Sequence, residues 1–327
     1  MERSSSNTFA LGIDIGGTNT KFGLVNHRGD ISYHGSILTH RHQTVEEFIN
    51  DLYEAIMPAI QESGGIECIR GIGIGAPNGN IYKGTIEYAP NLKWKGIIPI
   101  ASMTGERFGV PARLTNDANA AAVGEMTYGA AKGMRDFIMI TLGTGVGSGI
   151  VANGELIYGH DGFAGELGHN IIIPDGRLHP GTGEHGSLEA YASATGVART
   201  AVEFLERDSS VSSLMRGYPK ENIDSRIVFE CAMQGDKLAI EVYNFTGKIL
   251  GLALANFVMF SSPEAIIFFG GMSKAGDLIL KPTREHMEKH LLPIFQNKVK
   301  LIFSELKEAD AAILGASALV WEMKGKS

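Results

Sequence analysis

Two short glycine-rich turns are the first places where this chain could do chemistry. One lies in Asp14-Ile-Gly-Gly-Thr-Asn and the other in Thr141-Leu-Gly-Thr-Gly-Val-Gly. A polyphosphate needs backbone N–H groups at close range, and a Cβ would block the approach, so Gly16, Gly17, Gly143 and Gly145 suit that task. Thr18 and Thr144 add hydroxyl donors. Asp14 is placed to hold Mg²⁺, through water, beside the phosphates, and Lys21 offers a further charge partner. An ordinary hairpin turn would use the same residues.

Between and after these turns lie groups suited to a hydroxyl-bearing substrate. Leu114-Thr-Asn-Asp-Ala-Asn-Ala-Ala-Ala-Val-Gly-Glu125 reads as a strand end running into an Ala-rich helix. Asn116 or Asp117 fits the N-cap. Asp117 also fits a general base for a sugar hydroxyl, with its anionic form favoured by the helix N-terminus. In Gly165-Glu-Leu-Gly-His169, Glu166 accepts and His169 donates or accepts, so the pair could hold adjacent hydroxyls, or simply form a turn with a packed His. Glu189 opens a helix, where dipole pairing alone would account for it. Asn78 and Asn91 fall in a loop after Gly75, where Asx-turns are common. Gly270-Gly271 ends a strand and Gly315 interrupts a helix; both permit flat contact with adenine or ribose, or close packing of helix on strand.

The elements that position these residues follow from hydropathy. Phe9–Ile15, Lys21–Val25 and Ile31–Leu38 read as an antiparallel meander, with turns at the first glycines and at His27-Arg28-Gly29-Asp30. Val45–Ile60 has helical spacing, Cys68–Ala76 is a strand of alternating glycine and aliphatic residues, and a helix near Ile98–Phe108 precedes a strand near Ala112–Leu114. Asp136–Thr141, a glycine turn over Gly143–Gly149 and a strand Ile150–Ala152 then repeat the opening, and Asp14–Asn26 overlays Thr141–Asn153 without a gap. Such recurrence points to two related halves facing one cleft. Helices follow over 186–205, 226–233, 237–260 and 278–291, with strands at 265–269 and 299–303 and a closing helix at 309–323. A dinucleotide fold is a poor fit, because its fingerprint demands a helix straight after the glycines. Here Gly147-Ser-Gly-Ile-Val-Ala reads as strand and Gly75 leads into Pro77.

The 327 residues suit two lobes better than one core. The 42 glycines are nearly twice the average usage, yet they cluster at turns instead of repeating. A net charge of −7 gives no attraction to nucleic acid or anionic membrane. The apolar stretch Ile249–Phe260 is too short for a bilayer span and reads as a buried helix. Cys68 and Cys231 cannot build a disulfide framework and read as small buried hydrophobes. With no signal-peptide run in Met1–Asn7, the cytoplasm is the expected compartment.

Taken in order, Asp14-Ile-Gly-Gly-Thr-Asn, Thr115-Asn-Asp-Ala-Asn-Ala-Ala, Thr141-Leu-Gly-Thr-Gly-Val-Gly, Gly165-Glu-Leu-Gly-His and Leu188-Glu-Ala-Tyr-Ala-Ser resemble the ROK family of sugar kinases and repressors, nearest to its bacterial glucokinases, over about 9–321. The resemblance implies a duplicated α/β fold of the actin/hexokinase (ribonuclease H-like) type. Its small lobe would be 1–117 with 310–327, and its larger lobe 118–309. It implies Mg-ATP on the Asp14–Thr18 and Thr144–Gly145 turns with Gly270 and Gly271 near adenosine, and Asp117 as the catalytic base. Asn91, Asn116, Glu166, His169 and Glu189 would hold a sugar, in a protein expected to be a homodimer. Family members usually place three cysteines after the Gly-His motif, which join the motif histidine on a structural zinc. Here Pro180, Thr182 and Ser187 stand in their places and supply no thiolate, so no structural zinc is expected. A kinase for an N-acetylated amino sugar and a non-catalytic sugar-binding regulator are the alternatives. The second would be expected to carry a winged helix ahead of the first glycine turn, for which the position of Asp14 leaves no room.

Overall fold

The computed structural model describes residues 8–321. The segment Met1–Asn7 and the expected end of the last helix, 322–323, lie outside the described residues. The three opening apolar runs form an antiparallel meander, β1 (Phe9–Ile15), β2 (Asn19–Asn26) and β3 (Ile31–Leu38). Helix α1 (Val45–Glu62) starts at a capping box, in which Thr44 Oγ1 accepts from Glu47 N and the Glu47 carboxylate accepts from Thr44 N. Strand β4 (Ile69–Ala76) returns parallel to β1. A small sheet of β5 (Gly79–Asn80), β6 (Thr85–Glu87) and β7 (Ile97–Ile98) fills the stretch expected to be loop. Two- and three-residue strands carry too few side chains to show a period. Helix α2 (Ile100–Phe108), β8 (Ala112–Asn116, parallel to β4) and α3 (Asp117–Tyr128) complete this half.

The second half repeats the plan with β9 (Phe137–Leu142), β10 (Val146–Ala152) and β11 (Glu155–Leu156). Helices α4 (Glu189–Ala192), α5 (Ala194–Arg207), α6 (Ser225–Met233) and α7 (Lys237–Ser261) follow, then β12 (Ala265–Phe269), α8 (Asp277–His290), β13 (Lys300–Phe303) and α9 (Glu308–Trp321). The single helix expected over 186–205 is two, broken at Ser193, whose extended backbone and side chain cap α5 through Gly196 N.

The sheets run β3-β2-β1-β4-β8 and β11-β10-β9-β12-β13. Each is an antiparallel meander followed by two parallel strands, so the recurrence seen in sequence is a duplication of the whole sheet. This is the actin/hexokinase-type architecture. The gapless overlay needs one correction: Asp14 faces Lys21 across the first hairpin, whereas Thr141 faces Gly147 across the second, a register one residue tighter.

Glycines in strands explain how the helices sit. The turn expected over 143–149 ends at Gly145, and Gly147 and Gly149 lie inside β10. A Cβ on Gly147 would stand 2.9 Å from Ala118 Cβ, and one on Gly149 2.7 Å from Ala122 Cβ, so both glycines admit α3 onto β10. On the first sheet, Cβ atoms on Gly12 and Gly73 would strike the Ile313 and Ala316 carbonyls of α9. Helices α3 and α9 cross at Gly124 and Gly315, where a Cβ on Gly124 would lie 2.8 Å from Gly315 Cα. Of the two readings of Gly315, packing is the one realised.

Each sheet has its own core, one around Ile13, Ile72, Leu114, Phe48 and Leu52, the other around Ile138, Ile140, Phe268, Val242 and Leu250. Helix α7 is long and apolar enough to cross a membrane by length and composition, but two-thirds of its apolar window, 67%, is buried in the second core. Cys231 is buried as expected; Cys68 is only half-buried, at the end of the α1–β4 turn.

Candidate active site

Asp14 on β1, Gly75 on β4 and Thr115 on β8 are neighbours in register at the carboxyl ends of three parallel strands. That edge of a parallel set is where α/β sheets open a crevice. Gly75 sits between two acids, and a Cβ there would lie 3.3 Å from Ala120 Cβ, so the glycine lets α3 approach β4 beside Asp14 and Asp117. The cap of α3 is Asn116, whose Oδ1 accepts from Ala118 N at 2.8 Å and Asn119 N at 3.4 Å. Asp117 is thereby freed from capping. Its Oδ1 takes only the Ala118 N–H, at 2.8 Å, and no hydrogen bond engages Oδ2 among the described residues.

The Asp117 side chain is exposed to the cleft, with protein packed densely behind it. Desolvation raises its pKa from the ordinary carboxylate value, and the backbone bond from Ala118 N only partly offsets this. The expectation that the helix N-terminus would dominate and favour the anion is therefore corrected: burial wins. Asp14 is pushed up to about 7 by burial first and by repulsion from Asp117 second, against the attraction of Lys21 across the hairpin. Two crowded carboxylates with unfavourable charge are hard oxygen donors that a Mg²⁺ ion would neutralise, so the donor set fits that cation.

Strand β10 organises the opposite wall. Val146 N donates to Glu189 Oε2 at 2.6 Å. Ser148 Oγ donates to Gly165 O and accepts from Leu167 N at 3.1 Å, which ties down the turn carrying Glu166 and His169. The His169 Nε2 to Glu166 Oε2 separation is 3.9 Å, too long for a hydrogen bond, and His169 Nδ1 has no partner among the described residues. Burial raises the Glu166 pKa, with His169 opposing it and the Asp117 and Glu189 charges adding to it. A cleft ringed by acids with vacant acceptor positions and an imidazole edge suits a polyhydroxylated ligand.

Ten of the sequence-derived residues line one cavity of about 510 Å³: Asn91, Asn116, Asp117, Gly143, Thr144, Gly145, Glu166, His169, Glu189 and Gly270. Asn78, left open between loop and site, lines it too, although its amide donates to Glu87 O at 3.0 Å. The first glycine turn lies outside that lining. Gly16 N closes the turn on Asn19 O at 3.0 Å, Gly17 abuts Asn91, and exposed Thr18 accepts from His40 Nδ1 through its carbonyl. The second turn is closed by Gly143 N on Gly145 O at 3.0 Å and anchored by Ala194 N on Gly143 O at 2.8 Å. Gly270, at φ +101°, passes so close to Leu142 that a Cβ would lie 2.6 Å from its carbonyl oxygen. Gly271 opens instead onto an adjoining apolar groove of about 390 Å³ between α6 and the 271–275 turn, lined by Arg226, Phe229, Met272 and Lys274.

Three contributors escape a reading of the sequence. Val146 acts through its backbone and Ser148 through a turn seventeen residues away, contacts with no local signature. His179 lies 2.6 Å from Glu189 Oε1, a contact that nothing in its sequence context announces. Among the described residues no cluster of three His, Cys, Asp or Glu side chains could hold a metal. The loop around Pro180 and Thr182 is pinned by Arg177, whose guanidinium stacks 4.6 Å from the Tyr191 ring, pairs with Glu203 and donates to Ala190 O and Gly196 O.

Comparison with known proteins agrees with this geometry. The ROK family model matches residues 10–323. A glucokinase of Halalkalibacterium halodurans is 36% identical over 318 residues, 96% of each chain. A glucokinase of Thermotoga maritima is 35% identical over 96% of this chain and 98% of its own. The crystal structure of a ROK family glucokinase from Streptomyces griseus in complex with glucose and AMPPNP superposes with a TM-score of 0.78 at 32% identity, covering 95% of this chain and 98% of that one. A family model matched over nearly the whole chain and relatives at 35–36% identity settle the membership: the chain belongs to the ROK family.

Proposed function

We propose that this protein is an ATP-dependent hexokinase that phosphorylates the 6-hydroxyl of glucose or a similar hexose. The observation that carries the reading is Asp117: an acid with a free oxygen, lying between hydroxyl-binding side chains on one side and the Thr144–Gly145 turn on the other. Asn91, Asn116, Glu166, His169 and Glu189 hold and orient the sugar, a role supported by their shared cavity and by the likeness to glucokinases. Asp14, through water, and the amides of both glycine turns hold Mg-ATP, with adenosine beside Gly270 and Gly271 in the apolar groove. Mg²⁺, when bound, neutralises charge on the phosphate oxygens.

The work of the chain's own residues follows from their placement. Glu166, His169 and Glu189 fix the pyranose so that one hydroxyl points at Asp117 Oδ2. Asp117 accepts that proton as the oxygen attacks the γ-phosphorus, the bond from that phosphorus to the β,γ-bridging oxygen breaks and ADP leaves; the raised pKa of Asp117 brings it nearer the operating pH of a general base. The amides of the second turn stabilise charge on the transferring group. The lobes 1–117 with 310–327 and 118–309 close over the sugar and exclude water, which limits ATP hydrolysis. A homodimer in the cytoplasm belongs to the same proposal.

A coupled ATP-consumption assay over glucose, mannose, fructose, N-acetylglucosamine and N-acetylmannosamine tests it. Highest kcat/KM on glucose or mannose supports the reading, preference for an acetamido sugar redirects it to an amino-sugar kinase, and binding without turnover makes the protein a regulator.

A further inference from the structure

Glu189 reaches the cleft with both oxygens already engaged. Val146 N donates to Oε2, and His179 Nε2 lies 2.6 Å from Oε1. The imidazole tautomer follows from the far side of the ring. Nδ1 faces the backbone N–H of Thr182 at 3.1 Å, and an N–H only donates. Nδ1 must therefore accept, the proton sits on Nε2, and Nε2 donates to Glu189.

The ring has little freedom to do otherwise. His179 is 14% exposed and meets the His169 ring edge-on at a centroid distance of 5.7 Å. Its backbone closes a tight turn, with His179 N donating to Glu184 O at 2.7 Å and Gly183 N donating to His179 O at 2.9 Å. Arg177, two residues earlier, fastens the base of the same loop to α4 and α5. The loop thus ends in a single imidazole aimed at one carboxylate of the cleft.

We propose that His179 is a positioning residue of the hexose seat, fixing the Glu189 carboxylate so that its remaining lone pairs accept from a sugar hydroxyl. The proposal rests on the hexokinase reading above. A carboxylate has about four acceptor positions, and two fixed donors leave the others aimed into the cavity. The Val146 bond joins the same carboxylate to the second glycine turn, and a Cβ on Gly145 would collide with Oε2. Without His179, Glu189 keeps that one tether and pivots about it, so sugar binding loses its orientation while the phosphate turn keeps its place.

The test is steady-state kinetics with thermal unfolding on His179→Ala, His179→Gln, Glu189→Gln and the His179→Ala/Glu189→Gln double variant. His179→Ala raises the hexose KM on the order of tenfold and leaves the ATP KM within about twofold. His179→Gln, whose amide N–H donates as the imidazole does, returns the hexose KM to within about threefold of wild type. The double variant is no worse than Glu189→Gln alone, because His179 acts through that carboxylate. An unchanged hexose KM in His179→Ala overturns the proposal. So does an equal rise in both KM values with a lowered Tm and no rescue by Gln, which is the signature of a mere loop staple. Glucose calorimetry on the same proteins separates the two readings: wild type that binds hexose without turnover removes phosphotransfer and leaves His179 to be judged on Kd, whereas wild type that binds no hexose removes both.

Discussion

At the scale of single residues, the cleft is a place where carboxylates are kept from their ordinary ionisation. Asp14 is pushed up to about 7 and Asp117 upward, chiefly by burial. A raised carboxyl pKa means the folded state holds its proton more tightly than the unfolded chain. The stability this confers is present at low pH and is lost as pH rises from the ordinary carboxyl value of 3.8 through about 7. In metal-free protein, Asp14→Asn should therefore leave Tm nearly unchanged at pH 4 and raise it by a few degrees at pH 8, relative to wild type. A difference that stays flat with pH would show that Asp14 is not strained by charge. The same shifts place the acid limb of kcat/KM for the hexose: the ionised base is the active form, so activity falls as pH falls, with a midpoint above the ordinary carboxylate range. The pair titrates as a unit, so a single limb belongs to both acids. Most of these residues were legible from their types alone. What was not legible was the balance of forces on Asp117, because desolvation depends on how the two halves close around it, and its cap role went to Asn116 one position earlier.

At the scale of elements, β10 positions three of the cleft's components: Glu189 through Val146 N, the Glu166–His169 turn through Ser148, and α3 through Gly147 and Gly149. Ser148→Ala frees the Gly165–Leu167 turn from β10 by removing the hydroxyl that donates to Gly165 O and accepts from Leu167 N, at a cost of about 0.5–1.5 kcal/mol. The expected outcome is a hexose KM raised about tenfold with ATP KM little changed, read in the coupled assay. Equal effects on both substrates would argue against β10 as the support of the sugar side. This strand was also the clearest misreading. Glycine alternation in Gly145-Val-Gly-Ser-Gly suggested a long turn, because a glycine needed for φ above zero and a glycine needed for close helix approach look alike in sequence. The strand Ile69–Ala76, with the same alternation, was read correctly because Ile72 and Ile74 alternate with its glycines after Ile69. The short strands β5 to β7 had no such pattern to offer.

At the scale of the whole molecule, two sheets of identical order meet through α3 and α9, which cross at Gly124 and Gly315; the second glycine hairpin lines the cleft, and the first adjoins it where Gly17 abuts Asn91. The duplication could be seen in outline, since each half opens with apolar run, glycine turn and apolar run. The one-residue difference in register could not, because strand pairing is set by packing across the sheet. In the proposed reaction the convergence serves one carboxylate, and Asp117→Asn probes it with almost no change in shape. With glucose affinity followed by calorimetry and turnover by coupled assay, the account predicts a Kd within about threefold of wild type and a kcat lower by on the order of a thousandfold or more. Turnover near the wild-type rate with binding intact would contradict it.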